Sequence, residues 1–479
     1  MGLATASYAA IGSASMSEQR GAARSLARWA VKRFYHPIDV VDGERVPQSG
    51  PVVLCANHAN SLIDSLIVGI AARRPVRFMA AAILFDVPVM GSLMRALGMV
   101  PAFRGMDDQK QVRRNLESLD TGASVLVEGH AMGIFPEGRS SDEMHLGQVR
   151  TGAARMALQA VGQGTTAVRI VPIGIAYERK ERFRSAVLVR VAEPLAVNDV
   201  LAAEDGNVAR ARRVLTGELD VRLKSVVIHL DNPAWQPWLD DLEVLAPPPA
   251  ASSGLSSSSD PSAGRRADSR RTSALWQRKR IADAINWFWT YGRPRAEAVA
   301  AQVGAYREAA RAAGVPVDSD VLRLSGAGLS IKLLGRLAWL VLLFPPAALG
   351  ALYLLVPFVL VRRLGAWWGE IGRTTAATHK LMFGIPAYPL WHAAGIVALW
   401  RGLDPRVAVA WAVLAPFCGV LALTYGREVR RLARLLYHET NVFLRGNLLR
   451  VLRAQRDELR RELAGMALEY DQVAPDRAG

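Results

Sequence analysis

Two kinds of hydrophobic patterning divide the chain near residue 245. Before that point, short Val- and Ile-rich runs alternate with stretches of helical spacing, which predicts an α/β layered domain over 1–245 with a helix at its start. The strand-like runs are PIDVVDGERVP, GPVVLCAN, RFMAAAI, GMVPAFRG, ASVLVEGHAMGIFPEG, AVRIVPIGIAYE and SAVLVRVAEPL. The helix-like stretches DQKQVRRNLESLDTG and TGAARMALQAVGQG lie between them and end near glycine.

The second half of the chain opens with a segment that has nothing to bury. Residues 246–275 are rich in Pro, Ser, Ala and Gly, which predicts a disordered linker. Residues 276–330 read as basic, Trp-bearing amphipathic helices, which either lie on a membrane or pack in a helical bundle. Residues 427–479 read as a long charged helix on the cytoplasmic face.

Between these helices, region 331–426 contains three stretches without any formal charge, at 337–361, 381–400 and 407–426. Roughly 20 apolar residues cross a bilayer core of about 30 Å, so we expect a helical membrane domain here. The alternative is three buried helices of a large soluble core. Tryptophans sit near the ends of these stretches, as in an interfacial belt: Trp339, Trp367, Trp368, Trp391 and Trp400.

Arginines give an expected orientation for these segments. Basic residues cluster after the first and third stretches, and only Arg401 and Arg406 lie between the second and third. The positive-inside bias then places the loop 401–406 outside and the other flanks in the cytoplasm. Because this requires the first stretch to return to its starting side, we expect a re-entrant hairpin at Pro345 and Pro346, with a single full span as the alternative.

The net charge of the chain limits the classes of partner that it can be expected to bind. The formal net charge is +16, and mean hydropathy is +0.13 although 21% of the 479 residues are charged. Such a balance suits phosphate groups, anionic lipids or nucleic acid. Anionic membrane lipid is the expected partner, and not nucleic acid, because the basic residues cluster beside apolar stretches. With only two cysteines, no disulfide framework is expected, as in a reducing cytoplasm. Neither the cysteines nor the scattered histidines have metal-ligand spacing.

A histidine follows directly on a strand-like run in VLCANHANSLIDSLIVG, residues 53–69. His58 falls in the turn between strand and helix, Asn60 or Ser61 can cap that helix, and Asp64 lies in its first turn. An imidazole whose other nitrogen is held by a carboxylate can take a proton from a hydroxyl. Since no nucleophile accompanies it, the pattern favours a substrate that brings its own, although a structural histidine is the commoner reading of such a pair.

Three further stretches favour a catalytic over a structural role for His58: GMVPAFRG, IFPEGRSSD and RIVPIGIAYE. With the NH…D stretch, in this order and spacing, they resemble the four blocks of the glycerolipid acyltransferase family. The resemblance covers about residues 35–200, and the membrane-bearing second half is similar to the longer glycerol-3-phosphate and dihydroxyacetone-phosphate acyltransferase branch.

The resemblance implies roles for particular residues. A histidine base deprotonates a glycerol hydroxyl, which attacks an acyl thioester without an acyl-enzyme. The implied roles are His58 as base, Asp64 as its orienting carboxylate, Arg104 and Arg139 as phosphate ligands, Glu137 and Gly138 as holders of the glycerol part, and Pro172 in acyl-chain binding or shape. Structural alternatives stay open: Arg104 can pair with Asp107, Gly138 can supply only a turn, and Pro172 can simply end a strand.

Two departures from the family pattern bear on these roles. Five residues, Ala59 to Ile63, separate His58 from Asp64, where four are usual. If the extra residue lies within the helix, the carboxylate rotates by about 100° and misses the ring; if it lies in the turn, contact is kept. Ala81 also stands where many relatives have a lysine, which removes one basic contact.

The predicted function is acyl transfer from acyl-CoA or acyl carrier protein to glycerol 3-phosphate, with dihydroxyacetone phosphate as a further acceptor. No cofactor is expected, since the thioester supplies the driving force. The alternatives are a lysophosphatidate acyltransferase and a catalytically idle lipid-binding scaffold. The expected location is an integral membrane protein with its active site on the cytoplasmic face, in the inner membrane if the source is bacterial.

Overall fold

The computed structural model describes residues 21, 24–86, 88–102, 109–246, 263–314, 328–368, 375–444 and 446–473. Helix α1 (24–34) leads into a mixed sheet. The strands are β1 (Tyr35–Val41), β2 (Val52–Ala56), β3 (Val76–Ala81), β4 (Val100–Ala102), β5 (Ala131–Ile134), β6 (Arg169–Tyr177), β7 (Ser185–Val191) and β8 (Leu195–Ala196). Their order is β1-β7-β6-β2-β5-β3-β4, and β8 pairs with β6.

The middle of this sheet is parallel. Strand β2 lies between β5 and β6, with Leu54 opposite Gly133 on one side and Val171 on the other. Only β7 and β8 run antiparallel to β6 among the described pairings. The carboxyl ends of β2, β5 and β6 therefore meet at one edge of the sheet, where α/β proteins place their sites.

Helices cover both faces of the sheet. They are α2 (Leu62–Ala71), α3 (Ile83–Asp86), α4 (Pro88–Ala96), α5 (Gln109–Val127), α6 (Gly152–Gly162), α7 (Val197–Ala203) and α8 (Val208–Val226). Helix α9 (Gln236–Leu245) follows them and packs in separate clusters. One buried cluster joins α2 and α4 to the sheet, and a second joins α5, α6 and α8 to its opposite face. The predicted layered α/β domain is confirmed.

One strand prediction was wrong in part. The run ASVLV continues helix α5 to Val127, and only Ala131–Ile134 of that stretch is strand. Leu119, Ala123 and Leu126 are 6%, 0% and 0% exposed. Their spacing is the buried stripe of a helix, which overrides the β-preference of the valines nearby.

The linker prediction was also wrong over part of its length. Residues 247–262 lie outside the described part of the chain, but helix α10 (Ala263–Tyr291) already includes the last thirteen predicted linker residues. Ala and Arg are good helix formers, and buried Thr272 and Leu275 give this turn of helix something to pack. The guanidinium of Arg271 binds Glu178 and the carbonyls of His36 and Arg184.

The basic helices after the linker pack in a bundle, which is the second of the two readings. Helices α11 (Arg293–Ala312) and α15 (Gly446–Val473) share a buried cluster with α9 and α10 that includes Phe288, Val303 and Leu459. The predicted charged C-terminal segment 427–479 is helical in its described residues, 427–444 and 446–473. It comprises the end of α14 (Pro405–Leu444) and all of α15.

Three helices are long and apolar enough to cross a membrane: α12 (Gly328–Trp368), α13 (Ala376–Gly402) and α14. The predicted hairpin in the first of them was wrong. Helix α12 runs without interruption through Pro345 and Pro346. Prolines are tolerated in such helices where neighbouring helices pack on them, and Ala347 next to the pair is 3% exposed.

Helices α12 and α14 pair in antiparallel fashion. The Phe344 ring lies near that of Tyr425, and Gly350 approaches the carbonyl of Cys418. Residue numbers thus rise along α12 as they fall along α14, so the C-terminal end of α12 and the N-terminal end of α14 lie at the same end of the pair. This arrangement contradicts the expected placement of Arg362 and of the loop 401–406 on opposite faces.

Candidate active site

The turn that carries His58 is set by the strand before it and the helix after it. All five residues of β2 are buried, and α2 begins only at Leu62, so residues 57–61 form an irregular turn at the carboxyl edge of the sheet. Asn57 ties this turn to the neighbouring strand, because its side chain exchanges two hydrogen bonds with the backbone of Ile175. The turn is therefore fixed at both ends before any substrate arrives.

His58 and Asp64 are in direct contact. Nδ1 of His58 lies 2.9 Å from Oδ2 of Asp64, and their residues are 9% and 0% exposed. Oδ2 also accepts the N–H of Asn60 at 2.6 Å, and Oδ1 accepts the hydroxyl of Tyr177 at 2.7 Å. Since this carboxylate accepts from all three groups, Nδ1 of His58 is the donor and Nε2 is left as the ring's acceptor.

The fifth intervening residue lies in the turn and not in the helix. Helix α2 begins after Ser61, which puts Asp64 in the first turn, where its carboxylate can reach back. The expected side-chain cap is absent from this described helix end: Ser61 makes no cap hydrogen bond, and Asn60 donates its side-chain amide to Tyr35 instead. The Asp64 carboxylate replaces the cap by binding the backbone N–H of Asn60.

The His58 ring lies on an aromatic stack. Its centroid is 4.0 Å from that of Phe135 at an angle of 8°, and Phe135 stacks in turn on Phe78 at 5.9 Å. A glycine makes room for this stack, since a Cβ at Gly133 would lie 2.2 Å from the Phe78 ring. Sequence reasoning missed both Phe78 and Gly133, whose strands become neighbours only in the sheet.

Glu137 holds backbone on two sides. Its Oε1 accepts the N–H of His58 at 2.8 Å, and Oε2 accepts the N–H of Gly147 at 3.0 Å. Burial raises the pKa of the carboxyl, and the two backbone donors oppose this rise. The structure thus places Glu137 as a brace under the histidine turn, while its predicted role in holding glycerol stays a prediction.

One of the two predicted phosphate ligands, Arg139, lies at the rim of this edge. Gly138 has φ +75°, which explains glycine at the turn after β5. Arg139 is exposed beyond that turn, and the guanidinium of Arg150, which sequence reasoning missed, lies 3.4 Å from where a Cβ at Gly138 would be. Arg104, and Asp107 as its alternative partner, lie outside the described residues.

Pro172 does not end its strand. It lies within β6, opposite Cys55 of β2, and its carbonyl accepts the N–H of Ala192 at 3.0 Å. The structural reading offered for it was therefore wrong, and its role in acyl-chain binding stays a prediction. Cys55 and Cys418 are both free thiols.

Three buried groups that sequence reasoning missed complete the site. Burial raises the pKa of Tyr177 well above its usual value, and the Asp64 charge adds to this, so the phenol stays a donor. The hydroxyl of Tyr35 donates to the carbonyl of Lys180, and the Lys180 amine donates to the carbonyl of Ala59 at 2.9 Å. The sequence gives little indication of these three residues, because only the order of the strands in the sheet brings them to the turn that carries His58.

Residues 37–176 match the family model described as "Acyltransferase". This range contains His58, Asp64, Glu137, Arg139 and Pro172 in the geometry just described. Residues 37–176 are an acyltransferase-family domain. The acyltransferase domain thus includes β2, β5 and β6 up to Ala176. Tyr35, Tyr177 and Lys180 lie just outside the matched range, and helices α10 to α15 lie beyond it.

Curated relatives are similar to part of this chain. A chloroplastic 1-acyl-sn-glycerol-3-phosphate acyltransferase of Arabidopsis thaliana is 31% identical over 151 residues, which are 30% of this chain and 38% of the relative. The glycerol-3-phosphate O-acyltransferase 2 of Saccharomyces cerevisiae is 37% identical over 87 residues, which are 17% of this chain and 12% of the relative. The aligned part of this chain thus spans less than two fifths of either protein.

A solved structure is also similar. The 1-acyl-sn-glycerophosphate acyltransferase PlsC of Thermotoga maritima aligns with a TM-score of 0.30 and 18% identity, over 43% of this chain and 78% of that one. At this score the alignment adds nothing to the description of the fold given above.

Proposed function

We propose that this protein transfers an acyl group from a thioester to a hydroxyl of glycerol 3-phosphate, with His58 as general base. The observation that carries this is the contact of 2.9 Å between Nδ1 of His58 and Oδ2 of the buried Asp64. It directs the Nδ1 hydrogen toward Asp64, which leaves Nε2 as the ring atom that accepts a proton. Among the relatives, the yeast protein carries glycerol-3-phosphate O-acyltransferase in its name.

The proposed step needs no acyl-enzyme. Nε2 of His58 takes the proton of the acceptor hydroxyl as its oxygen bonds to the thioester carbonyl carbon. The tetrahedral intermediate then expels the thiolate, which takes the proton back from the imidazolium, so that an ester and a free thiol leave. Asp64 stabilises the transient positive charge on the ring. As the thioester supplies the driving force, the step uses no further cofactor, and either coenzyme A or acyl carrier protein can carry the acyl group.

Arginines at the rim are the proposed ligands of the acceptor phosphate. Arg139 and Arg150 flank the Gly138 turn, and among the described residues neither has an ion pair. A guanidinium fork matches a phosphate in two-point contact. Arg104 joins them in this proposal on the strength of the family resemblance alone. Such a rim suits a small, polar acceptor with a doubly charged phosphate.

The second candidate is acylation of lysophosphatidate. It is favoured by the plant relatives, whose alignment of 151 residues is longer than the 87 residues of the yeast protein. Helices α12 to α14 would also allow an acceptor that already carries an acyl chain to approach from a membrane. The idle scaffold has less support, because a scaffold has no need for a buried Asp64 aligned on His58.

The proposed location follows from the product, which belongs in a bilayer. Of the three helices long and apolar enough to cross a membrane, α13 contacts the layered α/β domain: Ala377 belongs to the buried cluster of α2, and the Lys380 amine donates to the carbonyl of Glu181. We place the active site at the cytoplasmic face, against anionic lipid.

One assay tests the proposal. Detergent-purified protein is given labelled acyl-coenzyme A or acyl carrier protein, with glycerol 3-phosphate, dihydroxyacetone phosphate and lysophosphatidate offered separately. We expect the fastest turnover with glycerol 3-phosphate. Turnover with lysophosphatidate alone would select the second candidate, and absence of turnover with every pair would favour the scaffold.

A further inference from the structure

A chain of hydrogen bonds leads from Glu137 away from the sheet. Its Oε2 accepts the N–H of Gly147, and the adjacent N–H of Leu146 donates to Nδ1 of His229 at 2.9 Å. Since Nδ1 accepts, Nε2 carries the proton and donates toward Oδ1 of Asp231 at 3.2 Å. His229 is 3% exposed, so both ring nitrogens are used for internal contacts.

The segment 229–231 makes two more hydrogen bonds to the loop 144–147. The N–H of Leu230 donates to the carbonyl of Met144 at 2.8 Å, and Nδ1–H of His145 donates to the carbonyl of Leu230 at 2.8 Å. The loop 144–147 is therefore hydrogen-bonded to residues 229–230, which lie far from it in sequence. The position of the Gly147 N–H under Glu137 depends on this attachment.

Helix α10 holds the segment from its other side. The side-chain amide of Asn286 donates to the carbonyl of His229 and accepts the N–H of Asp231, each at 2.9 Å. Leu230 is fully buried in a cluster with Ala282 and Ile285 of the same helix. Asn286 thus forms a clamp of two hydrogen bonds on the segment 229–231, which is in turn hydrogen-bonded to the loop 144–147.

We propose that His229 and Asn286 are positioning residues for His58, acting through the loop 144–147 and the Glu137 carboxylate. The inference rests on the proposed function of His58 as base. Neither residue belongs to the matched range 37–176, so helix α10 and the segment 229–231 contribute to the site from outside that range. Neither residue touches the substrate.

The physical reason is the cost of an unpaired buried donor. Without an acceptor at Nδ1, the N–H of Leu146 is left buried and unbound, and the loop shifts to find water. That shift draws the Gly147 N–H away from Oε2 of Glu137, whose other oxygen fixes the N–H of His58. Displacements of about 1 Å at a catalytic group cost up to roughly 100-fold in rate.

Two substitutions of His229 distinguish the role of its hydrogen-bond acceptor from the role of its side-chain volume. In His229→Asn, the amide oxygen occupies the place of Nδ1 and can still accept from Leu146. In His229→Leu, the volume is kept and the acceptor is lost. Asn286→Leu removes both points of the clamp at similar volume. Asn207→Ala is the matched control, because it deletes an exposed cap bonded to Ala209 and Arg210 with no path to His58.

The experiment measures kcat, KM and hydrogen exchange on the full-length protein in detergent. We expect His229→Leu and Asn286→Leu to lower kcat roughly 10- to 100-fold with KM within about twofold. Peptides covering 144–147 and the His58 turn should exchange faster in both. His229→Asn should recover most of the activity and protection, and Asn207→Ala should change neither, although its thermal midpoint falls.

Two results would overturn the proposal: unchanged exchange and kcat in His229→Leu, or His229→Asn as impaired as His229→Leu. The exchange measurement does not need turnover. If the wild type acylates no acceptor, the proposed function fails, and faster exchange at the His58 turn in the two leucine variants still decides whether the segment positions that turn.

Discussion

The acyltransferase domain and the helices α12 to α14 are held together by different forces. Around His58, directional hydrogen bonds join groups far apart in sequence: Asp64 binds Tyr177, and Glu137 binds both His58 and Gly147. Between α12 and α14, the helices pack by close approach, and a Cβ at Gly350 would lie 1.8 Å from the carbonyl oxygen of Cys418. The first region fixes atoms for chemistry, while the second fixes only which helices are neighbours.

The largest expected effect concerns the membrane helices, because labelling from one side is all or none. In a background with Cys55→Ala and Cys418→Ala, we expect Arg363→Cys and Asp404→Cys to react with an impermeant maleimide from the same side of sealed vesicles. The antiparallel pairing of α12 with α14 places both positions at one end. Asp205→Cys, between α7 and α8, marks the side on which the layered α/β domain lies. Labelling of the two positions from opposite sides would show three alternating spans and refute the pairing.

The next effect tests the directional bonds of the catalytic domain. Asp64→Asn keeps the shape of the side chain and removes the charge that holds the Nδ1 proton of His58. We expect kcat to fall roughly 100- to 10,000-fold, the range found for loss of general base function. Tyr177→Phe removes only the donor to Oδ1 of Asp64, so its loss should stay below about tenfold. Equal losses in the two variants would contradict the assigned role of the carboxylate.

A smaller effect is expected from the aromatic stack. In Gly133→Ala the new methyl group meets the Phe78 ring, which must move and carry Phe135 away from His58. Overpacking of this kind costs about 1–3 kcal/mol of stability, and kcat should fall with it. Gly217→Ala, in the interior of α8 with open space around its Cα, is the control and should be neutral or stabilising. A thermal midpoint for Gly133→Ala at or above that of the wild type would count against the stack.

The smallest effect is a pH dependence at His229. Burial, with the neighbouring His145 and Lys224 charges, lowers the pKa of His229 to about 4. The unfolded chain binds this proton at a pKa of about 6.5, so the neutral ring stabilises the fold above pH 6.5 and that stability is lost as pH falls toward 4. We therefore expect His229→Asn, which has no proton to take up, to gain on the wild type in thermal midpoint between pH 6.5 and pH 4. A constant difference between the two proteins would contradict the shift.

Prediction from sequence succeeded where one short stretch contains the whole signal. The run before His58 is buried throughout, and the contact with Asp64 needs only the turn between them. It failed where the partner is brought in by strand order, as with Tyr177 and Gly133. It failed again for α12, because apolar residues on all sides of a helix give no indication of which neighbour it meets or in which direction. The early start of α10 was missed because its packing surface, near Leu275, lies at the far end of a polar stretch.

The central claim is that acyl transfer depends on the proton acceptor of His58, and His58→Ala tests it most directly. Turnover of labelled acyl thioester with glycerol 3-phosphate is measured for the variant and the wild type, together with the fraction of each protein recovered in vesicles. We predict a loss of at least about 1,000-fold in kcat. Recovery in vesicles should be unchanged, because helices α12 to α14 mediate membrane association and His58 lies outside them. Turnover within tenfold of the wild type in a folded, membrane-bound variant would contradict the account.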